Sequence, residues 1–236
     1  MPQFRPAQVR YLSLIFLAWL GIFFLTRSVL LFAHFTDADA SFSDLLRVFG
    51  IGLIYDAVFL LYAGLPLALY MLFCPRRIWD LMWHRRLMQA VFVIGLFAML
   101  FVAVAEWYFW DEFGVRFNFI AVDYLVYSDE VLKNIRESYP VFQVLAVLSA
   151  IALGMGWLLN RRLDVALTAE ALPWGQRWPL FIGFVLLTVM LGLVVGQDFP
   201  RGIGGNAYQR ELAGNGPYQF FAAFRNNELE YPQFYA

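Results

Sequence analysis

Five uninterrupted apolar runs, at 11–35, 48–74, 87–110, 141–159 and 178–196, limit what this chain can fold into. Crossing a hydrocarbon core of about 30 Å takes roughly 20 residues of helix, and each run reaches or nears that length. With no water at that depth, backbone groups must be satisfied within the segment, so the runs are expected to be helical. They are too long and too evenly apolar for the alternating strands of a barrel. Composition agrees: 61% of the residues are hydrophobic and 15% charged, against about half and about a quarter in soluble domains. The expected fold is an all-α integral membrane bundle of five transmembrane helices. Its transmembrane domain would cover 1–197, with an extracytoplasmic linker over 198–236.

Basic residues set the expected orientation. Arg5 and Arg10 precede the first run, Arg76, Arg77, Arg85 and Arg86 follow the second, and Arg161, Arg162 and Arg177 follow the fourth. Basic loops stay cytoplasmic, so the N-terminus is expected inside and everything after Gly196 outside. The Ala38-Asp39-Ala40 stretch is like a signal-peptide cleavage site. The apolar segment before it far exceeds the about 7 to 15 residues of such peptides and holds Arg27, so the first run is expected to be retained.

A formal net charge of −1, with no basic patch interleaved with aromatics, sets nucleic acid aside. A lone cysteine, Cys74, excludes an internal disulfide. His34 near the outer surface and His84 in a cytoplasmic loop are expected to share no metal with each other or with Cys74. No nucleophile elbow, phosphate-binding glycine loop or metalloprotease helix occurs, so no cofactor, metal or catalytic residue is expected on this chain. The RGIGGN stretch at 201–206 reads as a flexible exit from the membrane.

Three ionisable residues fall inside the runs: Arg27, Asp56 and Glu106. Each costs at least a few kcal/mol near the bilayer centre unless partnered. Counted at about 1.5 Å per residue, Arg27 and Asp56 lie on the order of 10 Å below the outer surface and Glu106 is shallower, so all three can meet in one outer-leaflet pocket. Three readings follow. Arg27 and Asp56 can pair to fix helix packing, with Glu106 at the interface beside Trp107 and Trp110. Arg27 can instead face the phosphate of an anionic phospholipid, for which its guanidinium fork is suited. Ion or proton passage is the third.

Two outer segments complete the reading. Within 112–139, Val122, Leu125, Val126, Leu132 and Ile135 recur at helical spacing while Asp123, Asp129, Glu130 and Lys133 take the other faces. That pattern fits an amphipathic helix lying in the interface, with Tyr124 and Tyr127 at the lipid–water boundary; a plain loop is the alternative. Further on, Asn215 is placed to cap a short helix opened by Gly216 and Pro217. Phe220, Phe221 and Phe224 would form its apolar side and Arg225 to Glu228 its polar end. So short a helix needs something to pack against, either the membrane face or a folded domain that should come next.

RFNFIAVDYLVYSDEVLKNIRESYP (116–140) and NGPYQFFAAFRNNELEY (215–231) resemble the membrane region of the lipoteichoic acid synthase-like, sulfatase-superfamily proteins of Gram-negative bacteria. The layout is similar to that of phosphoglycerol and phosphoethanolamine transferases, and the resemblance covers essentially the whole chain. It puts Arg116, Asn118, Asp123, Tyr124 and Tyr127 in the interfacial segment, and Asn215, Phe220, Phe224 and Arg225 in the linker helix. It implies a following extracytoplasmic alkaline-phosphatase-like domain with a Thr or Ser nucleophile and a divalent metal (Mn, Mg or Zn) held by Asp, Glu and His. None of those residues can be placed on this chain, which departs from the family there.

By that resemblance the chain would be the membrane anchor and lipid-presenting half of an enzyme of the bacterial inner membrane. The enzyme would transfer a phosphoglycerol-type head group or cleave a phosphate or sulfate ester. Its partners would be the phospholipid membrane, an anionic phospholipid and the missing catalytic domain. The alternative is a free-standing scaffold that binds another membrane protein. A transporter is disfavoured, since five spans give no even inverted repeat.

Overall fold

The computed structural model describes residues 6–126, 133, 135–137 and 139–226. Its elements are α1 (Ala7–Ala33), α2 (Phe35–Ala38), α3 (Phe42–Phe73), α4 (Arg76–Trp79), α5 (Met82–Phe113), α6 (Phe119–Val126), α7 (Val141–Leu167), α8 (Trp174–Val194), α9 (Ala207–Leu212) and α10 (Gly216–Asn226). Five of them, α1, α3, α5, α7 and α8, are long and apolar enough to cross a membrane. The chain thus has the build of a multi-pass membrane protein.

The helices overrun the apolar runs. α3 starts at Phe42 because Ser41 and Asp44 form a reciprocal capping box ahead of it. α5 takes in His84, Arg85, Arg86 and Glu112, α7 takes in Arg161 and Arg162, and α8 takes in Arg177. Residues expected in turns are therefore helical. Hydropathy stops at the first charges, whereas arginine and glutamate are good helix formers and carry a helix on into the interface.

α1 is the central helix, packed against α3, α5 and α7, with α8 on α3 and α7 also on α5. Tyr11, Ile15, Ile22, Tyr55, Val58, Phe92 and Leu96 fill the core. Tyr11 ties α1 to α5 by donating to the Met88 carbonyl at 2.6 Å. The outward faces carry large exposed apolar side chains, among them Phe142, Trp157 and Leu193. Water would penalise such a surface, and lipid does not.

Alternating helices gather their termini at two ends. At one, the Ala7 amide donates to the Glu170 carbonyl and Arg76 pairs with Glu170. The same end brings Cys74 and His84 together. His84 is buried in the first turn of α5, with Nε2 3.7 Å from Cys74 Sγ. They remain a pair, and no cluster of three or more metal-ligating side chains exists among the described residues.

At the other end lie α2, the turn after α5, and residues 196–226. α6 falls within the expected interfacial segment, with Val122 buried and Asp123 and Tyr124 exposed. Tyr127, Asp129, Glu130 and Leu132 lie outside the described residues. α10 packs on α3 and α6, and α9 on α1, α2 and α3.

Candidate functional site

Arg27 on α1 and Asp56 on α3 meet fork to fork, Nη1 to Oδ2 and Nη2 to Oδ1, both at 2.9 Å. The helices can approach this closely because residue 52, one turn before Asp56, is glycine. A Cβ there would overlap the Arg27 guanidinium. The pair does more than join two helices. Arg27 Nε donates to the Leu212 carbonyl at 3.0 Å and Nη2 to the Gly214 carbonyl at 3.0 Å. From the same segment, Asn215 Nδ2 donates to Asp56 Oδ1 at 2.8 Å.

A second pair stands beside the first. α5 ends at Gly114, whose left-handed backbone (φ 67°) reverses the chain. That reversal brings Arg116 back to Glu106, Nη1 to Oε1 at 2.5 Å. Arg116 also grips the chain before Asn215. Its Nε donates to the Glu211 carbonyl at 3.0 Å, Nη2 reaches the Leu212 carbonyl at 3.4 Å, and its amide donates to Glu211 Oε2. The Glu106 carboxylate lies against Gly216, the first residue of α10, where any Cβ would collide with it. A carboxylate at that position complements the positive end of the helix.

Arg27, Asp56, Glu106 and Arg116 are each 2% exposed or less. Two guanidiniums and two carboxylates make the cluster neutral. Burial holds Arg116 below the ordinary arginine range; Glu106 and Asp56 oppose that shift and Arg27 adds to it. An arginine so paired stays charged.

Further bonds fix the rest of the segment. Tyr55 and Tyr218 hydroxyls donate to the Gly196 and Val195 carbonyls at 3.0 and 2.7 Å. Burial raises the Tyr218 phenol above its ordinary range, which keeps it a donor. Arg201 pairs with Glu211 at 2.8 Å, Arg47 donates to Gln209 at 2.6 Å, and Gln209 and Asn206 both donate to the Ala38 carbonyl. The RGIGGN stretch, expected to be a flexible exit, is thereby part of a fixed turn: Arg210 Nη1 donates to the Gly205 carbonyl at 3.0 Å.

The structure thus brings Arg27, Asp56 and Glu106 to one end of the bundle, as two ion pairs closed over by 206–216. Arg116, expected only in an interfacial segment, is the partner of Glu106. Asn215 caps α10 by accepting from the Tyr218 amide at 2.9 Å, and Asn118 accepts from the Ile120 amide at the start of α6.

α10 docks on the bundle by a side other than the expected apolar one. Tyr218, Gln219, Ala222 and Ala223 are buried, while Phe221 and Phe224 are each 61% exposed and Phe220 is half-buried. Small residues allow the helix to dock closely, and the phenylalanines are left facing outward, with Arg225 also exposed.

Chemically the cluster is a clamp. Both carboxylates are committed to guanidiniums, and Arg27 spends its donors on Asp56 and on backbone carbonyls. The chain matches no protein-family model, no curated protein and no solved structure.

Proposed function

We propose that this chain is a membrane anchor that holds its segment 196–226 in one pose at the outer end of the bundle. In that pose it would serve as the membrane half of an extracytoplasmic enzyme of the lipoteichoic acid synthase-like kind. Such an enzyme transfers a phosphoglycerol-type head group or cleaves a phosphate or sulfate ester, with a divalent metal in its catalytic domain. One observation carries the reading: both arginines of the cluster, Arg27 and Arg116, donate to the backbone of 211–214 as well as to their carboxylates. Ion pairs that only joined helices would need no such bonds. A segment held this way transmits a fixed height and angle to whatever follows it, which presentation of a membrane-bound head group requires.

The orientation in this reading puts the docked segment outside the bacterial inner membrane and the N-terminus inside. Support comes from Arg76, Arg77, Arg85, Arg86, Arg161 and Arg162, which crowd toward the opposite end. A scaffold that binds another membrane protein is the second reading, favoured by the exposed Phe221 and Phe224.

Photocrosslinking separates the two. A benzophenone amino acid at Phe224, activated in living cells, is expected to capture an alkaline-phosphatase-like polypeptide. Capture of an unrelated membrane complex in its place would overturn the transferase reading in favour of the scaffold. Impermeant maleimide in intact cells should label a cysteine introduced at Phe199 and spare one at Leu81; the reverse pattern would invert the orientation.

A further inference from the structure

At the end of the bundle remote from the clamp, a cavity of about 360 Å³ opens between α1, α3 and α8. Its walls are almost wholly apolar, with Leu12, Ala68, Phe181 and Phe184 among them. Its two strongest hydrogen-bond donors are the side chains of Arg177 and Gln8, which are 5% and 6% exposed.

Arg177 differs from the other two buried arginines. Among the described residues, every hydrogen-bond partner it has is a backbone carbonyl: Leu172 at 2.8 Å, Cys74 at 2.5 Å, and Met71 and Leu72 at 3.4 Å. No carboxylate among the described residues pairs with it. Glu170, an acid at this end, pairs with Arg76 and not with Arg177. Carbonyls at the end of α3 offset part of the charge and leave a net cation at the rim of an apolar groove. Gln8 is an independent signal. Its Oε1 accepts from the Leu172 amide at 3.1 Å, which fixes the amide orientation, and its buried Nε2 has no partner. A buried donor left unpaired costs about 1–3 kcal/mol, so a native site normally has something to fill it.

We infer that this groove binds one anionic glycerophospholipid, an acyl chain lying along Leu12, Ala68, Phe181 and Phe184 and the head-group phosphodiester meeting Arg177 and Gln8. A guanidinium without a carboxylate selects a phosphate anion, an unpaired amide N–H supplies a second donor, and the apolar groove selects a molecule with a hydrocarbon tail. The site is at the opposite end from the clamp, and it stands whether or not the transferase reading holds.

The test is native mass spectrometry of the full chain, released from detergent supplemented with equal phosphatidylglycerol and diacylglycerol of matched acyl chains, the second lacking the phosphodiester. Wild type is expected to retain one phosphatidylglycerol, preferred by about tenfold for a charge-assisted hydrogen bond. Ala68→Trp, which fills the groove and keeps the Arg177 side chain, should remove the retained lipid. Arg177→Lys should lower the preference severalfold while the acyl groove stays open, and Gln8→Leu should do the same if Arg177→Lys fails to fold. Millimolar inorganic phosphate should leave the bound lipid in place. Equal retention of both lipids, displacement by phosphate alone, or unchanged retention in Ala68→Trp would each overturn the assignment.

Discussion

Replacing Arg27 with glutamine should release the docked segment while leaving the bundle assembled. The guanidinium makes two bonds to Asp56 and one each to the Leu212 and Gly214 carbonyls. Removing one member of a buried ion pair costs about 3–5 kcal/mol, because the other charge is left without compensation. Three features favour the lower end of that range. Asn215 still donates to Asp56, Arg116 still reaches Leu212, and the new amide can restore one bond. A loss of about 3 kcal/mol is roughly a hundredfold in an opening equilibrium. Hydrogen exchange read by mass spectrometry on nanodisc-embedded protein is the assay. Amides of α9 and α10 should exchange roughly a hundredfold faster, with those at the α5–α7 interface unchanged. Unchanged protection over 207–226 would refute the clamp. Uniform loss across all five long helices would show that the pair holds the bundle instead.

Glu106→Gln should destabilise the protein by a similar few kcal/mol, because it removes the carboxylate paired with the buried Arg116 guanidinium; joint replacement of both by apolar residues should recover much of the loss in a thermal-unfolding assay. Gly52→Ala should cost about 1–3 kcal/mol, since its Cβ would enter the space of the Arg27 guanidinium and push the fork off Asp56. Cys74 is buried, and burial raises its thiol above the ordinary range. Between the unfolded and folded thiol pKa values, the unfolded chain ionises first, so this contribution to stability is complete below the unfolded value and is lost as pH rises through the folded one. Accordingly, iodoacetamide at pH 8.5 should modify the folded protein far more slowly than the denatured one, as a timed mass measurement will record.

The long helices were legible because lipid leaves the chain few alternatives: apolar length alone marks α1, α3, α5, α7 and α8. Their ends were less so, since Met82, Arg161 and Trp174 lie where hydropathy falls away but helical propensity does not. The intramembrane charges also stood out, because each of Arg27, Asp56 and Glu106 interrupts an apolar run. Their partners did not. Arg116 lies ten residues from Glu106, and only the turn at Gly114 joins them. Glu211, Gln209 and Asn215 come from a polar stretch some 160 to 185 residues from the Arg47, Asp56 and Arg27 that they or their neighbours meet. No periodicity encodes a carbonyl at 212 or 214 facing a guanidinium on α1. The docked side of α10 was not legible for a related reason. A short helix docks by its small residues wherever the opposing surface is close, and the sequence shows only which residues are apolar. Arg177 reads as one more basic residue of a turn; its burial depends on the convergence of α1, α3 and α8.

The most direct test is the distance between spin labels at Leu46, exposed near the start of α3, and Phe224 on α10, in protein carrying Cys74→Ser. Double electron–electron resonance in nanodiscs should give one narrow distance distribution for wild type and a broad one for Arg27→Gln. A broad distribution in the wild-type background would mean that the segment is not held by the buried charges, and the anchoring role proposed here would fall with it.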